Sequence, residues 1–364
     1  MLNFTVKKQK PSLVGVDIDA DSIAAADPAA GGGTVKTAVQ RLPEGAFSGG
    51  EIADADAVTE ALRELFSRGR LPKHVRLGVA SESVAFRVLR LPLIEDPEQL
   101  QSAVRFQAQE QISMPLDTAV LDHQVIGAGV ADDGSRHVDV AVVAARRQSI
   151  DLLLGAARKA GLEPVGIDLA AFGMIRALAN EVTRPAMETG PSEGPESEEY
   201  SQATLYCSLA GVTNLAIAKD FSCLFSRVAQ FSVRQIAEEL AAGSGMMLEH
   251  AEQWLVYTGL IAPLESLEGD PATIAAARGA LEANVGHLAD ELRLSLDFYG
   301  AQEGAVPVAD VVLCGWGSAI PGLPEALGAG LGREVSTRQP AGLSGYPAGE
   351  AARLTLPYGL ALER

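Results

Sequence analysis

Three short stretches of the chain combine small residues, hydroxyls and carboxylates in the pattern of a backbone cradle for phosphate. The first is "VGVDIDADSI", residues 14–23, an apolar strand interrupted around Asp17, Asp19, Ala20 and Ser22 before a second apolar strand resumes. A tight turn of this kind aims backbone N–H groups at one point, where an anion is held. The second is "LYCSLAGVTNLAI", in which Ser208 aligns with Asp17, Ala210 with Asp19 and Thr213 with Ser22, Gly211 lying at the bend. The third, "VVLCGWGSAIPGL", ends an apolar strand at Cys314 and turns through Gly315, Trp316, Gly317 and Ser318 toward a helix near Pro321–Leu323. A glycine corner at a helix start suits the phosphate or sugar of an adenine nucleotide. Each stretch read alone also fits an ordinary hairpin or strand-to-helix corner. Asp19 is the discordant residue, because close approach of a phosphate favours glycine there.

The elements that position these stretches come in two comparable halves. Residues 181–202, "EVTRPAMETGPSEGPESEEYSQ", mix glutamate with Pro, Gly and Ser and have little to bury, so they read as a mobile linker. Each half opens with one of the two hairpins, which suggests an internal repeat. Between the first hairpin and the linker lies a strand-helix-strand-strand unit. "VAFRVLRLP" is strand-like, and residues 95–112 form a helix that Asp96 caps, with Pro97 at its first position and Gln99 at its third. Leu100, Ala103, Val104, Ala108 and Ile112 make one apolar stripe on it. "AVLDHQVIG" and "HVDVAVVAAR" follow as two strands joined by "ADDGSR", and "SIDLLLGAARKAGLEPVGIDL" adds a helix and a strand.

The bulk composition narrows the partners. The 364 residues carry 47 acidic against 29 basic side chains, a net charge of −18, which disfavours nucleic acid and bare anionic membrane. No run reaches the ~20 apolar residues of a membrane helix, and the basic Lys7, Lys8 and Lys10 lead into Pro11 rather than a signal sequence. A cytoplasmic protein without direct membrane insertion is expected. Cys207, Cys223 and Cys314 sit in apolar strands and read as buried thiols, and the five histidines show no metal-ligand spacing, so no metal site is expected. Asp168, after "VGI", is a conceivable general base but fits a helix cap for "AAFGMIRAL" better. Trp316 is the better candidate for stacking on a ligand, Trp254 for helix packing.

The order of these parts resembles the type IV pilus assembly protein PilM family, actin-like and related to the bacterial division protein FtsA. The resemblance runs through "GVDIDADSI", "RLPEGAFSGGEIADADAVTEALREL", "RVLRLPLIEDPEQLQSAVRFQAQEQISMPLDTAVLDHQVI", "AARKAGLEPVGIDLAAFGMIRAL", "ELRLSLDFY", "LCGWGSAIPGL" and "LPYGLALE". It implies an α/β fold of two actin-like lobes with an inserted SHS2-type subdomain. The boundaries expected are 1–82 for the first part of lobe 1, 83–165 for the insert, 166–180 for a return to lobe 1, 181–202 for the linker, 203–350 for lobe 2 and 351–364 for a last return.

The resemblance also implies a partner: the N-terminal cytoplasmic tail of a PilN-like bitopic membrane protein, held between the insert and the main lobe and linked to the pilus motor ATPase. The strand Arg87–Leu91, with Leu89, and the helix bearing Leu100 and Val104 are the expected walls, Arg87 and Arg90 facing polar tail groups. ATP or ADP with Mg²⁺ is the family's ligand. Here Asp17 is retained, but Asp19 and Ala24 replace the glycine and lysine of the first loop, and Ser208 and Ala210 replace the Asp and Gly of the second. Glu252 remains on the ribose side, Leu255 replaces a frequent lysine, and Trp316 intrudes among the glycines. Losing the acidic pair that holds Mg²⁺ removes the means to polarise a phosphoryl group, so a degenerate site with no catalytic residue is expected. A small-molecule kinase of the same superfamily, a division-type membrane tether and the cytoplasmic arm of a type II secretion platform are the alternatives. An SHS2-type module in place of a sugar pocket argues against the kinase, and neither the basic amphipathic helix of the tether nor the transmembrane segment of the secretion arm is expected here.

Overall fold

The computed structural model describes residues 12–28, 34–131, 133–179 and 202–363. The acidic stretch 181–202, apart from Gln202, and the N-terminal lysines lie outside them.

Lobe 1 starts with the hairpin β1 (Val14–Ile18) and β2 (Ser22–Asp27), then β3 (Lys36–Arg41), a small hairpin of β4 (Phe47–Ser48) and β5 (Glu51–Ile52), helix α1 (Ala55–Gly69) and β6 (His74–Val79). Asp54 starts α1 by accepting the N–H groups of Asp56 and Ala57, each at 3.0 Å, which satisfies donors that have no partner within the helix. Val58, Leu62, Leu65 and Phe66, one stripe at helical spacing, bury against the sheet.

An inserted module follows: β7 (Val84–Pro92), α2 (Pro97–Gln111), β8 (Ala119–Val130) and β9 (Arg136–Arg146), a three-stranded antiparallel sheet in the order β7-β9-β8 with α2 across it. Asp96 caps α2 by accepting the Gln99 N–H at 2.8 Å. The chain then re-enters lobe 1 through α3 (Arg147–Lys159), β10 (Glu163–Leu169) and α4 (Ala170–Leu178). The insert is therefore shorter than the 83–165 expected from the sequence. Leu153, Ala156 and Ala157 of α3 are buried in the lobe 1 core, and β10 pairs in parallel with β6. Amphipathic patterning says that α3 buries a face, but not against which sheet.

Lobe 2 repeats the plan with β11 (Ala203–Leu209), β12 (Thr213–Lys219), β13 (Ser222–Ala229), α5 (Val233–Ser244), α6 (Leu248–Thr258), α7 (Pro271–Gly300), β14 (Val308–Cys314), α8 (Leu323–Leu331) and β15 (Val335–Thr337). The two five-stranded sheets, β10-β6-β1-β2-β3 and β15-β14-β11-β12-β13, share one topology. In each, the opening strand pairs antiparallel with its hairpin mate and parallel with a later strand. The repeat in the hairpin sequences thus extends to whole sheets.

Helix α9 (Ala348–Ala361) returns to lobe 1 and, with α4, fills the space between the lobes: α9 lies on β1 and β2, while α4 packs toward β11 and β12. The two helices cross backbone to backbone. A Cβ on Gly359 would fall 1.8 Å from the Gly173 carbonyl oxygen, so only glycine permits the crossing.

Candidate functional site

The β1–β2 and β11–β12 hairpins meet tip to tip where the lobes face each other. Asp19 N–H donates to the Ser22 carbonyl at 2.8 Å, closing the first turn. Its side chain then reaches in two directions. Oδ1 accepts the Ala20 N–H at 2.8 Å within its own hairpin, and Oδ2 accepts the Gly211 N–H of the opposite hairpin at 2.9 Å. A Cβ on Gly211 would lie 2.1 Å from Asp19 Oδ1 and 2.9 Å from the Ala20 methyl, so the tips are in direct contact.

Asp17, Asp19, Ser22, Ser208, Gly315 and Trp316 surround a cavity of about 30 Å³, room for one or two waters. A phosphate group does not fit beside Asp19 in this arrangement. A second, open cavity of about 540 Å³ lies on the other side of the first hairpin, between Ala20, Asp21 and Arg41 of lobe 1 and Arg234, Met246 and Glu252 of lobe 2. Thr213, Gly317 and Ser318 line neither space. Thr213 is fully buried, Gly317 packs on Leu209 and Val233, and the Ser318 hydroxyl donates to the Gly315 carbonyl at 2.8 Å.

The carboxylates here are held away from their ordinary acidity. Burial, then the neighbouring Asp19 charge, pushes Asp17 up to about 7. Burial, then Asp21, raises Asp19, opposed by the Gly211 and Ala20 N–H groups. Glu252 is pushed up to about 7 by burial and by Asp21, against the pull of Arg353 and Arg234. Arg353, on α9, bridges Asp21 at 3.5 Å and Glu252 at 3.4 Å, one carboxylate from each lobe. Arg41 on β3 pairs with Glu249 on α6 across the same seam. Arg353 escaped the sequence reading because no motif spacing ties residue 353 to a hairpin more than 300 positions earlier.

Several expectations are corrected. Trp316 is only 4% exposed and belongs to the lobe 2 core, and the cavity of about 30 Å³ that it borders leaves no room for a ring to stack on it. Trp254, by contrast, packs against the lobe 2 core as expected, edge-on to Tyr257 with the ring centroids 5.6 Å apart. Asp168 neither caps α4, whose cap residue is Leu169, nor stands free as a base; it pairs with Arg176 at 2.5 Å. The expected groove between β7 and α2 is filled by the module's own core. Leu89, Leu91 and Val104 are 1%, 6% and 0% exposed, and Leu100 packs on the same cluster. Arg87 donates to the Phe86 carbonyl and Arg90 pairs with Asp139 at 2.9 Å.

Two seams flank the module instead. Toward lobe 1, Glu51 Oε1 accepts hydrogen bonds from Ser81, Ser83 and Ser149, beside the apolar Phe47, Ile52 and Val84. Toward lobe 2, two adjoining cavities of about 580 and 800 Å³ run between β7 and α7, sharing Phe86 and Arg87. Among the described residues no helix is long and apolar enough to cross a membrane.

Comparison with known proteins places this architecture. The solved "PilM-PilN type IV pilus biogenesis complex" contains a chain 21% identical to this one, with 97% of this chain and 98% of that one covered at a TM-score of 0.75. Ethanolamine utilization protein EutJ from Carboxydothermus hydrogenoformans is 13% identical over 97% of this chain and 90% of its own, with a TM-score of 0.54. The fold is the actin-like one. A family model described as type IV pilus assembly protein PilM matches residues 15–342. That match runs from the first hairpin to beyond the glycine corner, and the chain belongs to the type IV pilus assembly protein PilM family.

Proposed function

We propose that this chain is a cytoplasmic adaptor of type IV pilus assembly. It captures the N-terminal tail of a PilN-like, single-span inner-membrane protein and links that protein to the pilus motor ATPase, without turning over ATP. Its site of capture is the seam between the inserted module and lobe 1, and the observation that carries this is the Glu51 cluster. A carboxylate gathering serine hydroxyls from the loop that leads into the module, Ser81 and Ser83, and from α3, Ser149, next to Phe47, Ile52 and Val84, pairs hydrogen-bonding groups with apolar surface. An extended tail needs both: backbone hydrogen bonds for affinity and pockets for its side chains. With a charge of −18, attachment to the anionic inner membrane runs through such a partner and not through lipid headgroups.

The test is the anisotropy of a labelled synthetic tail peptide from the cognate membrane partner. Ser149→Trp, which fills the seam, weakens binding at least ~10-fold, whereas Leu294→Asp on α7, facing the other seam, leaves it unchanged within about twofold. The opposite pattern moves the tail to the groove between β7 and α7, and no binding by the wild type refutes the adaptor reading. Phosphate release from Mg-ATP stays at the protein-free blank. Release that scales with protein concentration and disappears in Asp17→Ala refutes the non-catalytic part.

A further inference from the structure

We propose that the Asp19 carboxylate is the resident ligand of an anion seat built jointly by the two hairpins, an internal substitute for the phosphate of a bound nucleotide. The inference rests on the reading of this cleft as one that turns over no nucleotide, and it names the cause.

The geometry is that of a held anion. One carboxylate oxygen takes a backbone N–H from the first hairpin and the other takes one from the second, at 2.8 and 2.9 Å. Charge-assisted bonds to backbone N–H groups are the contacts by which turns hold phosphate oxygens. Here the donors belong to opposite lobes, so the anion they share ties the lobes together. An external phosphate would have to separate the tips, but Gly211 already stands so close to Asp19 that a single added carbon would overlap its carboxylate. What remains of the cleft on this side has room for only one or two waters. A second carboxylate, Asp17, faces the same cavity and makes it still less hospitable to an incoming anion. Arg353 closes the rim between Asp21 and Glu252, so the chain's own side chains hold the closed arrangement at two points. In a cleft that closed upon nucleotide, lobe closure would depend on nucleotide concentration. With the anion covalently part of the chain, its effective concentration is fixed and the closed form is constitutive.

Two measurements on the full chain decide the matter. In amide hydrogen exchange, Asp19→Asn keeps the size of the side chain and removes its charge. Exchange at residues 209–213 is expected to speed up about 10-fold or more, with the exchange of the lobe cores unchanged. In calorimetry with Mg-ADP and Mg-ATP, wild type shows no binding at millimolar concentration, and Asp19→Gly, which empties the seat, gains at least ~10-fold in affinity. Unchanged exchange across 209–213 in Asp19→Asn overturns the proposal, as does an Asp19→Gly protein that binds nucleotide no better than wild type. Steady ATP hydrolysis by the wild type is a separate result: it refutes the non-catalytic reading through product release, whereas the exchange data judge the Asp19 contact directly. The Asn variant keeps the test decisive if the Gly variant does not fold.

Discussion

Asp17 and Asp19 sit two positions apart on one strand end and do different work. Asp19 has two backbone donors, while Asp17 faces a small cavity and is pushed up to about 7. A carboxyl whose native pKa lies above its unfolded value binds its proton more tightly when folded. It therefore destabilises the protein above pH 7, and this penalty fades as the pH falls toward 4. Asp17→Asn is expected to raise stability by about 1–3 kcal/mol at pH 8 and to leave it unchanged near pH 4, as read from urea melts at the two pH values. The same reasoning applies to Cys314, whose thiol burial pushes up to about 12, leaving it protonated and unreactive at neutral pH. At this scale the hairpin residues were legible because their types are unusual for strands. The charges that complete the cleft, Arg353 and Arg234, were not, because they reach it from α9 and α5.

Among the elements, α4 and α9 depend most sharply on single residues. Gly359→Ala drives a methyl into the Gly173 carbonyl and is expected to cost at least about 2 kcal/mol. Gly286→Ala, on the exposed face of α7 with nothing within 4 Å, is expected to gain about 0.5–1 kcal/mol through helix propensity alone. Thermal melts of the two variants check both signs. Helix α2 shows how far patterning reaches: its cap, its proline and its stripe placed it within a residue or two of Pro97–Gln111. The same stripe also reads as the wall of a ligand groove. Apolar spacing announces that a face is buried, and the module's own sheet buries it before any partner arrives.

Across the whole molecule, the lobes are joined by α4 and α9 and by the Asp19 and Arg353 contacts at the cleft. Arg353→Met keeps the aliphatic stem and removes the charge that separates Asp21 from Glu252. Because Glu252 is pushed up to about 7 even with Arg353 present, removing the arginine raises it further and costs most where Glu252 is ionised. The expected loss is about 1 kcal/mol at pH 8 and less at pH 5, where Glu252 holds a proton in both proteins. Chemical denaturation at each pH measures it.

By itself, the sequence determined the paired hairpins, the Asp96 cap of α2, the strand-helix-strand-strand module and the order of segments that resembles one family. All of these are properties of neighbours along the chain: side-chain periodicity, turn chemistry and capping act over a few residues. The tertiary structure alone decided that α3 and β10 belong to lobe 1 and that Leu89, Leu91, Val104 and Trp316 are core. It alone joined Asp19 to Gly211, 192 positions away. A carboxylate at a hairpin tip has the same local conformation whether it faces water, a phosphate or a second hairpin. Which of these it meets is set by how two sheets and the helices between them pack, and that is written in no single stretch of the chain.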